Sequence, residues 1–129
     1  MSCLRGVVLL GHGSRVSGFD EVMEFHRERI QRLGIFGEVR IAYASTEPGL
    51  KEVVEDMDSG EIYIVPLFIS HGAHTEESPK ILGIEGKKGV FKGKSIFICN
   101  PIGKDGLITY AILNSVIEAN LIRDEDLYS

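Results

Sequence analysis

Apolar and polar positions along the chain alternate between two periods. Leu4 to Leu10 is a short apolar run that ends at Gly11, which suits a central parallel strand buried on both faces. After the turn GHGSR, positions Phe19, Val22, Met23, Ile30 and Leu33 fall on one helical stripe that Gly34 stops, with Ser14 or Ser17 as the cap. Gly37 to Ala44 reads as a second strand. Pro48 suits the first turn of a helix whose apolar positions are Leu50, Val53, Val54 and Met57, closed by Asp58 to Gly60. Ile62 to Ile69 is a third buried strand, rich in β-branched and aromatic residues. Pro66 inside it cannot donate to a ladder, which implies an edge, a bulge or an early end to pairing. A short helix at Ser78 to Leu82, a glycine-rich loop from Gly83 to Gly93, a strand at Ser95 to Cys99 and a helix from Asp105 to Ala119 complete the pattern. An acidic tail, Asp124 to Asp126, follows.

Strands alternating with helices at this spacing imply right-handed crossovers. The expected fold is a small doubly wound α/β sheet of about four mainly parallel strands with helices on both faces. The 129 residues and 14.2 kDa suit a single domain, 1–129, able to bury its own core. With 43% hydrophobic residues and no apolar run near the length of a membrane span, the expected partners include no membrane. The amino end does not read as a signal peptide, because Val7 to Leu10 runs into GHGS rather than a cleavage site, and a cytoplasmic location is expected. Cys3 and Cys99 are too few for a disulfide framework and are expected to pack as small apolar residues.

A net charge of −5 argues against nucleic-acid binding, which depends on neutralising phosphates. The charge is uneven, however. Lys80, Lys87, Lys88, Lys92 and Lys94 face one acid, Glu85, so that segment either is a solvated loop or holds an anionic ligand.

His12, His71 and His74 lie just after predicted strands, where open parallel sheets bind their ligands. If the first and third strands are neighbours, the three imidazoles converge at one edge of the sheet. Imidazole suits Co, Ni, Zn, Cu or Fe and also serves as an acid or base near neutrality. Gly72, inside HGAH, lets the backbone approach a ligand. His26, midway along an amphipathic helix, reads as a core or interface residue, and Asp20, Glu21 and Glu24 as solvated acids near a helix start. GHGS as a phosphate cradle lacks the Lys-Ser/Thr pair of a P-loop and the third glycine of a dinucleotide fingerprint. Ser14 as a hydrolase nucleophile lacks the order of a nucleophile elbow.

LLGHGSR, the EP at Glu47 and Pro48, VPLFISHGAHT and NPIG, in that order, resemble the small archaeal CbiX-type sirohydrochlorin chelatases. The likeness implies a chelatase-type α/β fold and a homodimer. It also implies ATP-independent insertion of Co2+ or Ni2+ into sirohydrochlorin, toward cobalamin or coenzyme F430. The metal-handling histidines of the family fall on His12 and His74, with Ser14, Arg15, His71, Gly72, Ala73, Thr75 and Lys80 as candidates for substrate binding. No cofactor is expected beyond the substrate metal. The segment TEESP leaves the acidic helper open between Glu76 and Glu77, and Ala44 stands where some members carry an acid. The alternative is a non-catalytic metal or tetrapyrrole carrier that uses the same histidines.

Overall fold

The computed structural model of the chain describes residues 4–13, 19–67 and 79–128. Its strands are β1 (Arg5–Gly11), β2 (Glu38–Tyr43), β3 (Glu61–Pro66), β4 (Lys88–Phe91) and β5 (Lys94–Ile98). Its helices are α1 (Phe19–Arg32), α2 (Leu50–Asp56) and α3 (Gly106–Tyr128), with a 3-10 turn at Ile102–Lys104. The strands form one sheet in the order β2-β1-β3-β5-β4. β1 pairs in parallel with both β2 and β3, and β3 with β5. The first and third strands are therefore neighbours, as the placement of the histidines required.

Burial on both faces explains the apolar runs. Val8 and Leu10 of β1, with Ile62 and Ile64 of β3 and Ile96 of β5, pack with Val53, Val54 and Met57 on the α2 side. Val7 and Leu9 point the other way, toward Met23 of α1 and Val39 of β2. Helices thus lie on both faces. Gly34, at φ 69°, ends α1 in the left-handed region, and its N–H donates to the carbonyl of Gln31 at 3.2 Å.

Pro66 is the last residue of a central strand, so of the three readings the early end to pairing holds. The ladder to β5 stops where the Cys99 N–H donates to the Ile64 carbonyl at 2.8 Å, and Leu67 N–H then bonds to Leu10 on the β1 side. No N–H is demanded of the proline.

The segment expected to be a glycine-rich loop contains a strand. β4 pairs antiparallel with β5 across a two-residue turn, Lys92 and Gly93, both at positive φ (49° and 80°). Two successive positive φ values are what a tight hairpin matching strand twist needs. Gly89 sits in β4 because a Cβ there would come 2.9 Å from Ile84 Cγ2. The sheet thus has five strands rather than about four.

One further boundary changes. α3 does not stop near Ala119 but runs to Tyr128, through the acidic stretch. Of the five stripe positions on α1, Met23 is fully buried and Ile30 half-buried, whereas Val22 is 50% and Leu33 66% exposed.

Candidate active site

The carboxyl edge of the sheet is assembled by backbone bonds between strand ends. Ala44 N–H donates to the Gly11 carbonyl at 2.9 Å, and the His12 carbonyl accepts from both Ser45 N–H (2.8 Å) and Ser45 Oγ (2.6 Å). These bonds fix the backbone of His12 against the end of β2 and leave the residue exposed at the edge. Gly13 is required by close approach, since a Cβ there would meet Ser45 Oγ at 2.6 Å. The second glycine of GHGS therefore has a packing reason that needs no phosphate.

On the other side of β1, Leu67 N–H donates to the Leu10 carbonyl at 2.8 Å. The chain that carries HGAH departs from that point, one strand away from His12. Ser14, Arg15, His71, Gly72, Ala73, His74 and Thr75 lie outside the described residues, as do Glu76, Glu77 and the helix cap expected at Ser14 or Ser17. Among the described residues no group of three His, Cys, Asp or Glu side chains gathers as a metal site.

Where the chain returns, Pro79 and Lys80 line a cavity of 440 Å³ together with Pro66, Lys87, Ile98 and Cys99. This cavity occupies the carboxyl ends of β3 and β5. A second, of 320 Å³, lies past β2 among Ser45, Thr46, Glu47 and Lys51. A third, of 790 Å³, is elsewhere, on the sheet face beside α1, and its walls are almost wholly apolar. Metal and carboxylate chemistry needs polar partners, so the edge is the better candidate despite its smaller cavities.

The basic segment divides by contact. Lys94 Nζ donates to the carbonyls of Val54 (2.6 Å), Met57 (2.5 Å) and Glu55 (3.2 Å), closing the carboxyl end of α2. Lys92 pairs with Glu55 at 2.8 Å and holds that carboxyl below its usual range. Lys88 lies over the Phe97 ring, 5.6 Å from its centroid. Lys80 and Lys87 alone of the five line the edge cavity. Lys87 donates to Asn100 Oδ1, which joins the basic segment to NPIG. Its place at the site is new here, because neither composition nor spacing separates it from its neighbours.

Burial pushes the Cys99 thiol up, with Lys87 opposing. Cys99 is half-buried between the edge cavity and the apolar one. Tyr43, 6% exposed at the end of β2, has its phenol pushed up to about 12 by burial first and then by its hydrogen bond to Asp20. Asp20, an exposed acid in the first turn of α1 as expected, thus also serves as a partner for the sheet edge. His26 is exposed, edge-to-face on Phe25, and lines the apolar cavity rather than the core. No helix among the described residues is long and apolar enough to cross a membrane.

Comparison with known proteins locates this arrangement. A family model described as CbiX matches residues 6–119. A probable sirohydrochlorin cobaltochelatase of Halobacterium salinarum is 40% identical over 75 residues, covering 57% of this chain and 26% of the relative. The sirohydrochlorin cobaltochelatase of Methanopyrus kandleri is 39% identical over 84 residues, covering 61% and 59%. That of Methanothermobacter thermautotrophicus is 29% identical over 111 residues, covering 81% and 77%. The aligned part of the chain thus spans less than two thirds of the first two relatives. Among solved structures, a CbiX protein from Marinobacter aquaeolei VT8 superposes with a TM-score of 0.62 at 25% identity, covering 94% of this chain and 98% of that one. A multi-domain protein from Deinococcus radiodurans with structural similarity to chelatases gives 0.66 at 28% identity, covering 78% and 25%.

Proposed function

The chain belongs to the CbiX family, and from that premise we propose that it inserts a divalent metal, Co2+ or Ni2+, into sirohydrochlorin without ATP. The observation that supports this most is the adjacency of β1 and β3. It brings the strand end bearing His12 beside the strand end from which the chain runs on to His71 and His74.

Metal insertion must remove two N–H protons from the macrocycle while a partly desolvated ion is held above it. Neutral imidazoles suit both tasks, one as ligand and one as proton acceptor. In this reading His12 and His74 share those roles, and His71 orients the ring's approach over Gly72. The carboxylate-rich rim is held by Lys80 and Lys87 at the edge cavity, with Ser14, Arg15, Ala73 and Thr75 as further contacts. The working unit is a C2 homodimer, because a flat ring on an exposed edge needs a second wall. The product serves cobalamin or coenzyme F430 synthesis according to which metal is inserted.

The test is to add sirohydrochlorin with Co2+ or Ni2+ to purified protein and follow the absorption change. Acceleration over the uncatalysed rate is expected, with most of it lost in His12→Ala and His74→Ala. Tight stoichiometric binding without turnover would replace the enzyme by a carrier. The same assay run metal by metal ranks cobalt against nickel, which affinity order alone does not decide.

A further inference from the structure

The end of β2 holds the connection from β1 to α1 at both of its described ends. At the start, Ala44 N–H donates to the Gly11 carbonyl at 2.9 Å, and Ser45 gives both of its donors to the next carbonyl, that of His12, the N–H at 2.8 Å and Oγ at 2.6 Å. Gly13 lies against the same hydroxyl, since a Cβ there would come 2.6 Å from Ser45 Oγ and 3.3 Å from Thr46 Cγ2. At the far end, the Tyr43 hydroxyl donates to Asp20 in the first turn of α1.

The sheet does not need the two side-chain bonds. β2 already pairs with β1 in continuous register from Gly6 and Glu38 to Gly11 and Tyr43, and the Ser45 N–H already serves the His12 carbonyl. The Ser45 hydroxyl fills the second acceptor site of that carbonyl at an exposed position, where water would otherwise do so. Its consequence is geometric: two donors on one oxygen fix the direction of the peptide that bears the exposed His12. Tyr43 makes the strand end rigid. Its N–H bonds to the Pro48 carbonyl at 2.9 Å, closing the turn that carries Ser45, while its buried phenol is anchored on α1. With its pKa raised to about 12, that phenol remains a donor at any working pH. α1 is tied to β2 at its other end too, where Val39 N–H donates to Gln31 Oε1 at 3.2 Å.

We propose that Ser45 and Tyr43 are positioning residues for His12: Ser45 sets the peptide from which the imidazole is carried, and Tyr43 holds the turn bearing Ser45 against α1. This rests on the reading of His12 as a reacting histidine. Neither residue is placed on metal or macrocycle, and both act through His12. Misplacing a reacting group by about 1 Å costs about a hundredfold in rate, and losing an outer partner of a metal-binding histidine costs about tenfold to a hundredfold.

Three substitutions in the full chain test it, with circular dichroism as the check on folding. Ser45→Ala removes the hydroxyl and keeps the N–H, Ser45→Thr keeps both, and Tyr43→Phe removes the phenol oxygen alone. The histidine imidazole signals are followed by NMR, with that of His12 assigned by its loss in His12→Ala and that of His26 as the internal reference. Ser45→Ala and Tyr43→Phe should each displace the His12 signal and leave His26 in place, and Ser45→Thr should restore it. In the insertion assay with Co2+, Ser45→Ala should lower kcat about tenfold or more with KM for sirohydrochlorin within about twofold, and Ser45→Thr should recover it. A His12 signal unmoved in either variant overturns that residue's part. A displaced signal with wild-type kcat in Ser45→Ala overturns the proposal as well, because the placement then has no consequence for the reaction. A wild type that inserts no metal removes the chelatase reading instead, and the NMR comparison still decides whether the two residues place His12.

Discussion

Replacing the lysines one at a time by methionine separates architecture from substrate binding. Lys94 makes three hydrogen bonds to carbonyls at the end of α2. A bond from a charged donor is worth about 1.5–3 kcal/mol, and a cation at a helix carboxyl end adds about 0.3–1 kcal/mol. Lys94→Met should therefore cost about 2–3 kcal/mol. The pair between Lys92 and Glu55 is open to water, with 58% and 36% of the two side chains exposed, and such screened pairs contribute little. For a chain of this size 1 kcal/mol moves the melting temperature by about 3–5 °C. Thermal unfolding at fixed concentration should show a drop of about 10 °C for Lys94→Met and a clearly smaller one for Lys92→Met. Lys80→Met and Lys87→Met should melt near the wild type but raise KM for sirohydrochlorin about tenfold, the loss of one charge-assisted contact to a carboxylate. Equal melting temperatures for the Lys94 and Lys92 variants would refute the assignment of Lys94 to the fold. An unchanged KM in both Lys80 and Lys87 variants would refute the cavity as the place where the rim is held.

Tyr43 should make the fold sensitive to alkali. Its phenol is raised from 10 to about 12, so the fold prefers the neutral form. That contribution is complete below pH 10 and is lost as pH climbs through 12, about 2–3 kcal/mol in all. Urea midpoints measured across that window should fall more steeply for the wild type than for Tyr43→Phe, and parallel curves would remove the argument. Glu38 Oε1 accepts from Asp58 N–H (2.9 Å), Ser59 N–H (2.8 Å) and Ser59 Oγ (2.6 Å), and Ser59 is fully buried. Glu38→Ala should cost about 3 kcal/mol by denaturant unfolding, and Glu38→Gln, which keeps an oxygen acceptor, less.

What the sequence revealed follows from the range of the interactions involved. β1 and β3 were legible because a strand buried on both faces writes itself as a continuous apolar run, Val7 to Leu10 and Ile62 to Val65. Their adjacency stood only as a condition, taken from common doubly wound strand orders, and the observed sheet order meets it. β4 was not, because it is a four-residue edge strand holding Lys88, Gly89 and the 69% exposed Val90. Its signal was the Lys-Gly pair before Lys94, a turn chemistry more specific than the loop composition around it. The lysines could not be sorted beforehand because their partners lie on other elements: Glu55 and the end of α2, Phe97, and Asn100.

The end of the last helix was misjudged. Acids do not stop a helix, and after Gly106 the chain offers no glycine or proline that would, so α3 runs on past Ala119. The apolar positions from Phe19 to Leu33 follow helical spacing, yet Val22 and Leu33 are open to solvent beside the apolar groove. Periodicity reports that a face will be covered but not by which chain. An apolar face on α1 and an apolar α3 are each uncovered among the described residues. By contrast, the exposed edge at His12 is made by backbone bonds between strand ends, which the fold alone determines. The strand-end edge and these apolar faces therefore have separate origins in the chain, and substitutions on the faces should leave the strand-end geometry around His12 intact.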